Sequence, residues 1–88
     1  MPQRTWFITG VSSGFGRQLS EQLLTRGDRV IGTVRDTSKV TDLIEQYPQA
    51  FYAEVLEMID RTAIRAVVER SFAKHGRIDV MISNAGYG

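Results

Sequence analysis

Between two patterned segments the chain reads Thr9-Gly10-Val11-Ser12-Ser13-Gly14-Phe15-Gly16, with an apolar run before it and a helical pattern after it. A glycine loop in that setting can cradle the phosphates of a dinucleotide, because the first turn of a helix presents unpaired N–H groups and a positive dipole end. Gly10 is placed to turn the chain, Gly14 to let backbone approach a pyrophosphate, and Gly16 to bring the helix close to the sheet. Ser12 and Ser13 suit a phosphate loop better than a nucleophile, since no base is identifiable beside them. Phe15 completes the segment. The Gly-Lys-Ser/Thr ending of a P-loop is absent.

A second group of residues lies where the ribose of such a ligand would be read. About 20 residues beyond the loop an acidic side chain would bond a ribose 2′-hydroxyl and favour NAD. Val34 occupies that place, and Arg35 follows it. A guanidinium there can pair with a 2′-phosphate through charge-assisted hydrogen bonds, which favours NADP over NAD. Asp36 adjoins Arg35 and could compete for its charge or read a ribose itself. Near the far end, Ser83-Asn84-Ala85-Gly86 follows another apolar run. Asn84 can brace the end of a sheet through its amide while Ala85 and Gly86 keep the backbone low beside a ribose. A plain turn is the competing reading of those residues.

The elements that must position these residues alternate short apolar runs with helical patterns, the signature of βαβ units. Strands are expected at 5–9, 29–34, 51–55 and 79–83. The first helix starts near Gly14 or Phe15, with Phe15, Leu19, Leu23 and Leu24 as its apolar stripe, and Gly27 ends it. A short second helix over 39–46 turns Val40, Leu43, Ile44 and Tyr47 to one face before Pro48. A third, capped by Asp60, turns Ile64, Val67, Val68 and Phe72 inward. Gly32 falls where a side chain would crowd a neighbour, and Trp6 and the phenylalanines are read as core. Right-handed crossovers then give an α/β fold: a Rossmann-like parallel sheet in the order 3-2-1-4 with three helices, whose strand order reverses between strands one and four. Open sheets bind ligands at such reversals.

The 88 residues allow one small domain, and eleven Lys and Arg against ten Asp and Glu exclude the basic field that drives nucleic-acid binding. With no cysteine there is no disulfide framework or thiolate metal site. His75 has no neighbouring ligand to complete a metal site, so no metal is expected; at a helix C-terminus a cationic imidazole is favoured, as a capping or surface residue. No stretch reaches signal-peptide or membrane-span length, so a cytoplasmic location follows by default.

Thr-Gly-x-x-x-Gly-x-Gly near an N-terminus resembles the short-chain dehydrogenase/reductase family. Ser83-Asn84-Ala85-Gly86 is similar to that family's Asn-Asn-Ala-Gly, with Ser83 replacing the first Asn. The resemblance implies an NADP(H)-dependent oxidoreductase that passes hydride between the cofactor and a carbonyl or alcohol carbon. It also implies that Glu57 stands where the family has an Asp contacting adenine, with the Met58 backbone amide beside it. Residues 1–88 then form the N-terminal part of a single NAD(P)-binding Rossmann domain, truncated after the fourth strand, which would leave Val80, Met81 and Ile82 exposed at an edge. The family's Tyr, Lys, Ser and second Asn lie beyond this segment. Four positions after Tyr47 is Phe51, after Tyr52 is Leu56, and Tyr87 is followed by one residue only. No catalytic residue is therefore assigned. The small-molecule substrate belongs to the complete domain, and dimers and tetramers are common in the family. A non-catalytic nucleotide-binding or partner-dependent interaction module is the alternative, and a methyl-donor site is weaker because that ligand has no pyrophosphate.

Overall fold

The computed structural model describes residues 3–12, 14–56 and 61–83. Four strands, β1 (Thr5–Ile8), β2 (Arg29–Val34), β3 (Phe51–Val55) and β4 (Val80–Ile82), form one parallel sheet in the order β3-β2-β1-β4. This is the expected order, with its reversal between β1 and β4. Three helices connect them: α1 (Gly14–Arg26), α2 (Thr41–Gln46) and α3 (Arg61–His75). Among the described residues no helix is long and apolar enough to cross a membrane.

Strand alternation divides the core between the two faces of the sheet. Ile8 and Val30 look to one side, where Leu23 and Leu24 of α1 and Leu43 of α2 cover them. Phe7 and Ile31, paired across the β1–β2 ladder, look to the other and meet Val67 of α3. Residues 30–34 of β2 are all buried, as a central strand covered on both faces requires. The α1 helix ends at Gly27, whose φ is +97°, with Gly27 and Asp28 N–H groups donating to the carbonyls of Leu24 and Leu23.

Several local expectations are corrected. β1 and β4 are shorter than their apolar runs. The second helical segment begins as a 3-10 turn over Thr37–Val40, because the Asp36 carboxylate accepts from Ser38 N at 2.9 Å and starts the helical path early. Phe15 and Phe72 are not core residues: they are 62% and 55% exposed. The buried face of α1 is Gly16, Ser20, Leu23 and Leu24, and small residues there let the helix approach the sheet, which rotates Phe15 outward. Ser71 takes the corresponding inward position on α3 and leaves Phe72 outside. In β4 only Met81 is clearly exposed, while Val80 and Ile82 are partly covered. The Asp60 cap lies outside the described residues.

His75 also departs from expectation. Its ring packs against Tyr52 with centroids 4.4 Å apart, and its Nε2 is buried with no hydrogen-bond partner among the described residues. Burial disfavours the imidazolium, and Lys74 and Arg29 add to that against a weaker opposing effect of Glu54, so its pKa is lowered. The packing of α3 over β3 thus overrides the helix-end preference for a cation. An unfolded chain binds the extra proton near pH 6.5, so stability should fall as pH drops below that value. Replacing His75 with Gln should flatten the change in thermal midpoint between pH 7.5 and 5.5; an unaltered slope would contradict this origin. The lowered carboxyls of Asp79, bonded by Thr5 N–H, and of Asp42, bonded by Arg17, act only at more acid pH.

Candidate functional site

The glycine loop leaves the C-terminal end of β1 at the strand-order reversal and is built onto both neighbouring strands. Thr9 N donates to Ile82 O of β4 at 3.0 Å, and Val11 N donates to Thr33 O of β2 at 3.1 Å. Gly10 N donates to the Thr33 hydroxyl at 2.9 Å. Gly10 and Gly14 have φ of +72° and +63°, the left-handed region that side chains avoid. At Gly14 a Cβ would meet nothing within 4 Å among the described residues, which leave room there for a ligand approaching the backbone. At Gly32 the reverse holds. A Cβ there would lie 2.4 Å from Val11 Cγ2, so the missing side chain of β2 is the space into which the loop packs.

Thr33 was not singled out by sequence reasoning. It is 1% exposed, and its hydroxyl and carbonyl together fix two successive N–H groups of the loop. The available signal is a hydroxyl residue inside an otherwise apolar buried strand, although its partner lies 23 residues away. Gly16 is buried on α1 and its carbonyl accepts from the Ser20 hydroxyl at 2.7 Å. Ser12 is half-buried at the rim and Phe15 projects outward.

Arg35 follows β2 directly and is exposed, with no ion pair among the described residues. Asp36 caps the 3-10 turn, its Oδ1 accepting from Ser38 N at 2.9 Å, and that bond lowers its pKa. Of the expected site residues, the structure brings Gly10, Ser12, Gly14, Phe15 and Gly16 together as one loop and helix start after β1, packed against β2, which Arg35 follows. Ser13, Glu57, Met58, Asn84, Ala85 and Gly86 lie outside the described residues. A second arginine, Arg17, bridges α1 to the segment after Arg35, donating to Lys39 O at 3.0 Å and to the Asp42 carboxylate.

A parallel sheet with this order, opening on a glycine loop at its reversal, defines a Rossmann-like nucleotide-binding architecture. The short chain dehydrogenase family model matches residues 4–88, and the chain belongs to that family of oxidoreductases. It is 38% identical over 85 residues to Oxidoreductase BOA17 of Botryotinia fuckeliana, covering 96% of this chain and 31% of that protein. Among solved structures it is similar to a short-chain dehydrogenase from Streptomyces avermitilis, at 41% identity and a TM-score of 0.90, over 97% of this chain and 31% of that one. It is also similar to a metagenomic short-chain oxidoreductase solved in complex with NADP, at 31% identity and a TM-score of 0.81, over 97% and 40% of the two chains. The chain thus spans about a third of the length of these proteins.

Proposed function

We propose that residues 1–88 are the N-terminal, NADP(H)-binding part of a single Rossmann domain, and that the complete domain transfers hydride between NADP(H) and a carbonyl or alcohol substrate. The observation that carries the cofactor choice is Arg35: an exposed guanidinium with no ion pair among the described residues, at the end of the strand that clamps the glycine loop. The neighbouring Asp36 carboxylate accepts from Ser38 N and forms no ion pair with Arg35 among the described residues, so the guanidinium's donors are left for an anionic group. The open backbone at Gly14 and the first turn of α1 suit the pyrophosphate. The 31% identical relative solved with NADP supports the same choice.

On this reading Gly10, Ser12, Ser13, Gly14, Phe15 and Gly16 hold the phosphates and Arg35 the 2′-phosphate. Glu57 and Met58 serve the adenine, and Asn84, Ala85 and Gly86 border the ribose. NADP(H), when bound, supplies or accepts the hydride; this segment binds and orients it. Arg35→Ala should weaken NADPH binding at least tenfold while changing NADH binding less than twofold, since a charge-assisted contact to phosphate is removed. Calorimetric titration with both cofactors checks this. Equal loss for both would remove the case for NADP.

A further inference from the structure

The segment that carries Arg35 is held at both of its ends. On one side Val34 is locked into the sheet, its carbonyl accepting from Leu56 N at 2.8 Å. Within the segment, Asp36 accepts from Ser38 N through its side chain and from Lys39 N, at 3.2 Å, through its carbonyl. On the other side is Arg17, in the second half of the first turn of α1. Its Nη1 donates to Lys39 O at 3.0 Å, its Nη2 to Asp42, and its Nε lies 3.4 Å from Glu21 Oε2. Each of the three nitrogens of one guanidinium therefore has a partner within the protein. The same helix begins at the glycine loop, so Arg17 links the phosphate end of the site to the segment that follows Arg35.

Resting on the dinucleotide reading above, we propose that Arg17 is a positioning residue for cofactor selection: by tying Lys39 and Asp42 to α1 it holds residues 35–39 where Arg35 meets a 2′-phosphate. It sets the preference for the phosphorylated dinucleotide without touching either cofactor. A planar fork that bonds a carbonyl and a carboxylate at once is needed for this, and a lysine ammonium cannot reproduce it.

Asp42 supplies the decisive test. Removing its negative charge should by Coulomb attraction alone favour the more anionic NADPH. The clasp requires the opposite. Asp42 is an exposed residue, so Asp42→Ala, which removes the acceptor together with the charge, should leave the fold intact, which circular dichroism and the thermal midpoint would verify. Titrated with NADPH and NADH, both Asp42→Ala and Arg17→Ala should reduce the NADPH preference about threefold or more through the NADPH constant alone, and the double variant should be no worse than Arg17→Ala. An unchanged or increased preference in Asp42→Ala, or equal losses for both cofactors, would overturn the positioning role. If Arg35→Ala abolishes the preference and Asp42→Ala keeps it, only the clasp fails. If Arg35→Ala leaves the preference unchanged, or the unaltered protein shows none, the NADP reading fails and the clasp with it.

Discussion

Gly32→Ala should both destabilise the protein and disable its glycine loop. The added Cβ would lie 2.4, 2.9 and 3.1 Å from Cγ2, Cγ1 and Cβ of Val11, all inside van der Waals contact. Val11 is fully buried and its χ1 is restricted by branching, so a rotamer change cannot relieve the overlap. The loop would have to lift from β2, breaking the bonds from Gly10 N and Val11 N to Thr33. Overpacking of this kind costs about 1–3 kcal/mol. NADPH binding should weaken at least tenfold on the reading proposed above, because the phosphate cradle is displaced with the loop. The matched control is Val11→Ala with Gly32→Ala: it removes the two closest atoms, Cγ2 and Cγ1, and leaves only the 3.1 Å contact to Cβ, so the double variant should regain part of the binding that Gly32→Ala loses. Urea denaturation and cofactor titration of the three variants measure this coupling. Equal stability and affinity for Gly32→Ala and the unaltered protein would mean that the loop is not shaped by this contact.

The need for glycine at position 32 was legible in the sequence, because a glycine inside a buried apolar strand signals close approach by something else. What approaches was not, since Val11 and Gly32 are joined only when β1 and β2 lie side by side. The strand order was readable for a different reason: alternation and the handedness of crossovers leave few topologies. Helix phase was harder. The spacing of Phe15, Leu19 and Leu23 defines a stripe, but Gly16 and Ser20 define another one residue on, and contact distance to the sheet selects the smaller pair. Phe72 beside Ser71 repeats the lesson on α3. His75 shows a local rule losing to tertiary packing, since the favourable helix end is outweighed by burial against Tyr52. Arg35 and Asp36 were ambiguous as neighbours until the Ser38 N–H bond assigned the carboxylate to a cap.

Asp28→Ala tests the other end of the sheet, and its effect should be on stability alone. Asp28 is 6% exposed in the turn between α1 and β2, and its carboxylate gathers the start of β1. Oδ1 accepts from Arg4 N at 3.2 Å, and Oδ2 from Trp6 Nε1 at 3.1 Å and Arg26 Nη2 at 3.2 Å. Asp79 does the same from the β4 side, accepting from Thr5 N at 2.8 Å, so the successive N–H groups of Arg4 and Thr5, where the chain enters β1, are bonded by carboxylates from both flanks. Truncating Asp28 strands a partly buried indole N–H and a backbone N–H, for an expected loss of about 2–4 kcal/mol. Arg26→Ala should cost under about 1 kcal/mol, because that guanidinium is 63% exposed and only screened charge is lost. Asp28→Asn keeps one acceptor and should fall between the two. Urea midpoints rank the three variants, and any other order would show that charge rather than hydrogen bonding holds this corner. Because the glycine loop and Arg35 lie at the opposite ends of the same strands, folded Asp28→Asn should retain the unaltered NADPH-to-NADH preference, separating damage to the scaffold from damage to the site.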